Sequence, residues 1–256
     1  MMPTMSPLSS TVLGSGPPVV LAHGAGGSVQ MNFGPVMAQL GRRFRVIGGD
    51  YPGSGQTPRA TGVLDLDELA DRLVATAVDA GAEQFALVGH SLGSAVAVRA
   101  TTRHPDRVTR LVLSSGFACL DASTRETVER WRVLAAGDRL ALARFVLSVV
   151  LSEAIHDGLS DVEREGFVEL VAATTAPGLI EQIDLALEVD VRPDLAKVAV
   201  PTLVVGGELD RLVSMELTRE LALGITGAHW ATLRSGHAPA LETAREWLGL
   251  IEDFLV

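Results

Sequence analysis

One five-residue segment of the chain has the residue types and spacing of a serine nucleophile. Gly89-His90-Ser91-Leu92-Gly93 matches the pattern G-x-S-x-G, follows the apolar run 85–88 and precedes small residues that predict a helix. A serine on a sharp turn between a strand and a helix projects its hydroxyl from the sheet edge, and glycines on both sides leave room for the tight backbone. We therefore predict that Ser91 attacks a carbonyl carbon while the amide of Leu92 faces the developing oxyanion. The alternative is a purely structural turn.

A base and an acid that could serve this serine each follow a later apolar run. His237 stands between the last apolar run and the last helical pattern, and Asp210 follows the run before it. An imidazole with a pKa of about 7 suits the transfer of the serine proton, and a carboxylate against it holds the tautomer. We predict Ser91, Asp210 and His237 as the catalytic residues. Two other carboxylates remain alternatives for the acid, Glu208 and Asp121.

A glycine-rich segment near the N-terminus could supply a second donor to the oxyanion. His23-Gly24-Ala25-Gly26-Gly27 follows the apolar run 18–22, and its glycines allow the backbone to fold close to the nucleophile. One such donor contributes roughly 10²–10³ in rate. We predict that the donor is the amide of Ala25, with Gly24 as the alternative. A phosphate-binding loop is a weaker interpretation, because the segment has neither Gly-Lys-Ser/Thr nor G-x-G-x-x-G.

Six short apolar runs alternate with longer helical patterns along the chain. Strands that are buried on both faces of a parallel sheet appear in a sequence as continuous apolar runs. Their alternation with helices predicts an α/β fold with a mostly parallel sheet and helices on both faces. The loops at the carboxyl ends of such strands are where this architecture places its chemistry. The predicted strands cover residues 18–22, 45–48, 85–88, 110–113, 202–205 and 229–233.

The alternation is interrupted between residues 121 and 195, where only helical periodicity is present. Two capping boxes and two breaks predict four helices in this region. We interpret residues 121–195 as a helical cap, or lid, inserted into a core domain of residues 1–120 and 196–256. The alternative is a set of packing helices with no role at the site. The predicted helices lie near residues 123–136, 139–152, 161–174 and 178–189.

Composition restricts the partners and the compartment. The net charge of −10 is spread along the chain, which argues against nucleic acid or an anionic membrane as a partner. No apolar segment reaches the roughly 20 residues of a membrane span, and no secretory signal is evident. The single cysteine, Cys119, agrees with a reducing cytoplasm. We expect a cytoplasmic protein with a small-molecule substrate, and the composition does not determine its oligomeric state.

Taken together, these segments resemble the α/β-hydrolase superfamily, in particular its small single-chain members with a helical cap. The resemblance covers almost the whole chain, and it implies an eight-stranded sheet, or seven strands because residues 1–17 offer little room for the opening hairpin. It also implies a cap over the pocket, no cofactor and no metal. The serine excludes the branches that use an aspartate nucleophile. The matching segments, in family order, are His23-Gly24, Asp50-Tyr51-Pro52-Gly53-Ser54-Gly55, Gly89-His90-Ser91-Leu92-Gly93, 201–210 and Gly236-His237.

The predicted reaction is acyl transfer from an ester or thioester to water through an acyl-Ser91 intermediate, with a small to medium hydrophobic substrate. Carbon–carbon bond hydrolysis, peracid formation and a biosynthetic lyase or cyclisation step are alternatives on the same three residues. A small-molecule receptor without turnover is an alternative of a different class. Five residues are candidates for the pocket lining, although each is equally compatible with a place in the core: Met31, Phe33, Trp131, Phe145 and Val149.

Overall fold

A computed structural model describes residues 8–256 of the chain. All six apolar runs that were predicted as strands are strands. The strands are β1 (Ser9–Leu13), β2 (Pro18–Ala22), β3 (Arg45–Asp50), β4 (Phe85–His90), β5 (Val108–Ser114), β6 (Thr202–Gly207) and β7 (His229–Leu233). The helices are α1 (Val29–Leu40), α2 (Leu66–Asp79), α3 (Leu92–Arg103), α4 (Ala122–Ala135), α5 (Arg139–Val150), α6 (Glu153–Gly158), α7 (Asp161–Thr174), α8 (Leu179–Glu188), α9 (Arg192–Leu195), α10 (Met215–Gly224), α11 (Pro239–Glu242) and α12 (Ala244–Leu255).

The seven strands of the described residues form one sheet in the order β1-β3-β2-β4-β5-β6-β7. Strand β1 pairs antiparallel with β3, and every other neighbouring pair is parallel. The predicted fold class is confirmed, with the smaller of the two expected strand numbers. The sequence does not predict β1, because this strand lies at the sheet edge with four of its five residues exposed and so lacks an apolar run.

Helices cover both faces of the sheet, as predicted, because successive strand side chains point to opposite faces. Val20 and Leu87 pack with α2, α3 and α10 on one face. Val19 and Val88 pack with α1 and α12 on the other. The carboxyl ends of the central strands are therefore held between two apolar layers, and the loops that leave them start from fixed points.

Six helices, α4 to α9, lie between β5 and β6 in the chain, and we call the first five of them, α4 to α8, the inserted helices. Helix α4 packs against α8 and α5, and α5 packs against α7. The four predicted helices correspond to α4, α5, α7 and α8. Helix α6 is an additional six-residue helix without a buried residue, which explains why no apolar periodicity marks it.

Within residues 8–256 no single helix is long and apolar enough to cross a membrane. Helices α7 and α8 together have the length and composition of a span, but a bend of 89° separates them.

Candidate active site

Ser91 stands on the tight turn between β4 and α3, with φ of 56° and ψ of −125°. This left-handed backbone is rare for a residue with a side chain, and such strain persists only where the surroundings enforce it. The Ser91 amide donates to the Ser114 carbonyl at 3.0 Å. A Cβ at Gly89 would overlap the carbonyl of Gly93, and a Cβ at Gly93 would overlap the carbonyl of Ala22. At both positions of the motif, therefore, the neighbouring backbone leaves no room for a side chain.

The hydroxyl of Ser91 lies in a chain of hydrogen bonds with an imidazole and a carboxylate. His237 Nε2 is 3.0 Å from Ser91 Oγ, and His237 Nδ1 is 2.8 Å from Asp210 Oδ2. The other oxygen, Asp210 Oδ1, accepts from the amides of Leu212 and Val213, both at 2.9 Å. The Asp210 side chain is fully buried and that of His237 is 6% exposed. The structure thus brings together the three predicted residues from loops after β4, β6 and β7.

The two alternative acids do not reach the imidazole. Glu208 is exposed, and its carboxylate accepts from the Thr232 hydroxyl on β7 at 2.8 Å. Asp121 caps helix α4, because its Oδ1 accepts from the amide of Thr124 at 2.7 Å. Both alternatives are therefore wrong. The Glu208 carboxylate bonds to a side chain of β7, and the Asp121 carboxylate caps the N-terminus of α4.

Two backbone amides next to Ser91 have no acceptor within the described residues. Leu92 is the first residue of α3, so its amide lacks an intrahelical partner. In the glycine-rich loop, the Gly24 amide donates to Asn32 Oδ1 at 2.7 Å, and the Gly26 amide donates to Gln182 Oε1 at 2.8 Å. The amide between them, that of Ala25, is free. Gly24, the alternative donor, is thus occupied, whereas the predicted donors Ala25 and Leu92 are available.

His23 anchors the glycine-rich loop to the next loop of the sheet edge. Its Nε2 accepts from the Tyr51 amide at 2.9 Å, and its Nδ1 lies 2.8 Å from the Gly24 carbonyl. The side-chain rings of His23 and Tyr51 stack with centroids 3.9 Å apart. Burial lowers the pKa of His23 from 6.5 to about 4, so the imidazole is neutral near pH 7. A neutral ring is needed here, since Nε2 can accept only when it carries no proton.

His90, the residue before the serine, contacts the imidazole of His237 with ring centroids 5.0 Å apart. Burial, followed by the charge of nearby His237, lowers the pKa of His90 well below its ordinary value. The ring is therefore neutral at neutral pH. Its neutrality matters because a second cation would oppose the protonation of His237 during proton transfer.

A buried glutamine on α8 links the glycine-rich loop to the inserted helices. Besides accepting from Gly26, Gln182 donates to the Pro52 carbonyl at 3.0 Å and to Ser54 Oγ at 2.9 Å. Ser54 in turn donates to the Gly27 carbonyl at 2.6 Å. Gln182 is 0% exposed. The sequence reasoning missed this residue, although its place on the apolar stripe of α8, beside Ile183, is a signal that could have identified it.

A carboxylate on α11 links the His237 loop to the inserted helices. Glu242 accepts from the Gly236 amide at 3.0 Å and from the Ser152 amide at 2.8 Å. The His237 amide also donates to the Val150 carbonyl at 2.8 Å. The loop that carries the imidazole is therefore bonded to the end of α5. No sequence motif marks Glu242, because its two partners are backbone amides and one of them is 90 residues away in the chain.

A cavity of about 300 Å³ opens at Ser91 and His237 and is lined mainly by apolar side chains of α5, α7 and α8. Two of the five predicted lining residues, Met31 and Trp131, border it. The other three do not, and these predictions are wrong. Phe33 stacks on Trp247 in the core with centroids 5.6 Å apart. Phe145 and Val149 lie on the adjoining side of α5, where they pack against the core.

A second cavity, of about 20 Å³, also borders the nucleophile. Ser91, Leu92 and Ala25 border it together with buried side chains of α4 and α8. Among the described residues, no group of three or more His, Cys, Asp or Glu side chains is arranged to hold a metal ion.

Comparison with known proteins places this geometry in a family. The model of the α/β hydrolase fold family matches residues 17–153. The chain is 33% identical over 97% of its length to pyrrolizixenacetamide deacetylase of Xenorhabdus hominickii, covering 94% of that protein. It is 30% identical to pimeloyl-acyl-carrier protein methyl ester esterase of Neisseria meningitidis, over 93% of both chains. The enol-lactonase of Burkholderia xenovorans LB400 has a similar structure, with a TM-score of 0.87, 24% identity, and coverage of 96% of this chain and 95% of that one.

The chain therefore belongs to the α/β hydrolase fold family and is an enzyme of the hydrolase class.

Proposed function

We propose that the protein is a serine hydrolase that cleaves an ester or thioester through an acyl-Ser91 intermediate. The observation that carries this proposal is the hydrogen-bonded chain from Ser91 Oγ through His237 to Asp210, with distances of 3.0 and 2.8 Å. Two unoccupied amides, those of Ala25 and Leu92, lie beside the same hydroxyl. A nucleophile, a base, an acid and an oxyanion site thus occur at one point, which is the combination that acyl transfer requires.

The reaction then runs in two halves. His237 Nε2 takes the Ser91 proton as Oγ bonds to the carbonyl carbon, and the amides of Ala25 and Leu92 bind the oxyanion. The bond to the leaving group breaks as His237 returns the proton to that group. In the second half, His237 takes a proton from water as the water oxygen bonds to the acyl carbon, the Ser91 Oγ–carbon bond then breaks as His237 returns the proton to Oγ, and the acid leaves. Asp210 accepts the hydrogen bond from Nδ1–H in both halves and keeps the imidazole oriented.

The inserted helices act, in this proposal, as a cap on a core of residues 1–120 and 196–256. Side chains from α5, α7 and α8 form much of the 300 Å³ cavity wall, and no Asp, Glu, Lys or Arg of the described residues borders it. An apolar wall binds hydrophobic groups and makes the entry of an ion unfavourable. The substrate is therefore a neutral small molecule of small to medium size.

Amide deacylation is a second candidate, because the relative with 33% identity is named a deacetylase that acts on an acetamide. The three residues and the oxyanion site serve an amide in the same way, although the leaving amine depends more strongly on protonation by His237. Carbon–carbon hydrolysis, peracid formation, a lyase or cyclase step and a receptor without turnover stay alternatives that no contact in the site favours.

The deciding experiment compares the wild type with Ser91→Ala on p-nitrophenyl esters, acyl thioesters and aryl acetamides. We expect sustained wild-type turnover of at least one class and its loss, by about 10⁴-fold or more, in the variant. Circular dichroism and thermal unfolding serve as controls for folding. A wild type that releases a single equivalent of nitrophenol and then stops would instead identify a receptor, and equal rates in the two proteins would refute the proposal.

A further inference from the structure

Two cavities of very different size border Ser91. From their sizes and lining residues, and given the proposed acyl transfer, we infer that the enzyme removes a short acyl group, of acetyl size, from a larger apolar alcohol, thiol or amine. The short acyl group occupies the 20 Å³ cavity and the larger leaving group occupies the 300 Å³ cavity.

The position of His237, the general acid, determines which of the two cavities holds the leaving group. In the first half-reaction the Ser91 Oγ–carbonyl carbon bond forms, the bond from that carbon to the leaving group breaks, and the serine proton passes through His237 Nε2 to the leaving group. The leaving atom must therefore lie within hydrogen-bond reach of His237. His237 borders the large cavity and not the small one. The leaving group is accordingly directed into the large cavity.

The oxyanion donors place the acyl group on the opposite side. Leu92, one of the two predicted donors, borders the small cavity and not the large one, whereas Ala25 and Ser91 border both. When the carbonyl oxygen faces the donor amides and the leaving group faces His237, the remaining substituent of the carbonyl carbon is directed toward Leu92 and into the small cavity. That substituent is the acyl chain.

The volume of the small cavity limits the length of this chain. A cavity of about 10–15 Å³ holds one water-sized group, so 20 Å³ accommodates one methyl group and little more. Its walls are well packed, since Val128 is 6% exposed, Ile183 is 0% and Ala186 is 5%. Lengthening the acyl chain would force these side chains off their rotamers.

The test is an acyl-length series of p-nitrophenyl esters, from acetate to hexanoate, on the wild type and three variants. For the wild type we expect kcat/KM to fall by about ten-fold or more for each methylene that is added beyond the acyl length that fills the small cavity. Val128→Ala enlarges the small cavity and should raise the butanoate-to-acetate ratio of kcat/KM by about ten-fold. Ala186→Val fills the same cavity and should lower turnover of acetate without changing the protein's dependence on Ser91.

Val146→Ala is the matched control, because Val146 borders only the large cavity. This variant should keep the wild-type acyl-length profile and change only the preference among leaving groups. Wild-type hydrolysis of hexanoate as efficient as that of acetate would overturn the inference while leaving the proposed function intact, and so would a change of the acyl-length profile in Val146→Ala. Absence of Ser91-dependent turnover on every ester would overturn both.

Discussion

The Asp210 carboxylate is held by two hydrogen bonds in addition to the one with His237. Its Oδ1 accepts from two backbone amides and its Oδ2 faces His237 Nδ1. The orientation of the carboxylate is therefore set by the turn after β6, independently of the imidazole. Since Nδ1 must donate to Oδ2, Nε2 is left unprotonated and able to accept the Ser91 proton.

Asp210→Asn should reverse this arrangement. The two amides still require the side-chain oxygen as their acceptor, so the amide nitrogen would face His237 and force Nδ1 to accept. Nε2 then carries the proton and cannot act as the base for Ser91. We expect kcat to fall by about 10⁴-fold with little change in stability. Steady-state kinetics on the best ester substrate measure this effect.

Glu208→Gln is the control for that experiment, because the Glu208 carboxylate lies in the same turn but accepts a hydrogen bond from the Thr232 hydroxyl and not from His237. Its kcat should equal that of the wild type. A large loss in Glu208→Gln with an active Asp210→Asn would mean that the acid had been assigned to the wrong carboxylate.

His23 should make the stability of the protein depend on pH. Its pKa is about 4 in the folded protein and 6.5 as the reference value. Between pH 4 and 6.5 the unfolded chain therefore binds more protons, so the free energy of unfolding is highest above pH 6.5 and falls on acidification. Between pH 6.5 and pH 4, protonation of His23 lowers the free energy of unfolding by roughly 3 kcal/mol. Burial of His90 acts in the same direction.

His23→Gln tests this, because glutamine keeps a donor and an acceptor but does not titrate. We expect the variant to be less stable than the wild type at pH 7 and to lose less stability between pH 7 and pH 5, by roughly 2 kcal/mol. Urea unfolding at the two pH values gives the difference. Identical pH slopes in the two proteins would show that His23 is not buried in its neutral form.

At the scale of the elements, the strand runs were predictable because a parallel sheet that is covered on both faces leaves continuous apolar segments in the sequence. The order of the runs also places the loops of Ser91, Asp210 and His237 at one edge, so their meeting could be expected. Strand β1 could not be predicted in this way, since it is exposed and stabilised by pairing with β3.

The pocket was less predictable than the triad, for a geometric reason. An apolar residue on a helix is equally compatible with the cavity and the core, and only the rotation of the helix decides. In α5 both Phe145 and Val146 pack against the core, but only Val146 also borders the cavity. Interactions between a side chain and a distant backbone leave no motif in the sequence. Glu242 has no spacing signal, and for Gln182 the apolar stripe of α8 indicates that the side chain is buried but not what it binds.

Helix α8 is expected to hold the oxyanion loop in place through Gln182. Gln182→Leu keeps the size of the side chain but removes the acceptor of the Gly26 amide and two donors. We expect kcat to fall by roughly 10–10² while KM changes little, because the neighbouring Ala25 amide would lose its position. The free energy of unfolding should fall by about 1–3 kcal/mol, since buried partners are left unpaired.

Asp184→Asn is the control on the same helix, because Asp184 forms an exposed ion pair with Arg132. Its kcat and KM should match those of the wild type. If Gln182→Leu loses stability but retains full kcat, then Gln182 is structural and the oxyanion loop is held by other contacts.

In the whole molecule, the inserted helices are bonded to both sides of the site. Gln182 reaches the loop of the oxyanion donor. The end of α5 and the segment that follows it reach the His237 loop through Val150 and Ser152. Gly178 and Gly53 also touch directly, since a Cβ on either would overlap the backbone of the other segment. Catalytic geometry therefore depends on the insertion and the core being assembled together.

Glu242→Gln tests this dependence, because Glu242 is the one side chain of the described residues that bonds to both the Gly236 and the Ser152 amides. Glutamine can accept with only one atom, so one of the two amides would face a donor. We expect hydrogen–deuterium exchange to accelerate in residues 150–153 and 235–238 together, and kcat to fall while KM is retained. Glu246→Gln, an exposed change on α12, should leave both measurements unchanged. Faster exchange in only one of the two segments would mean that the insertion and the His237 loop move independently.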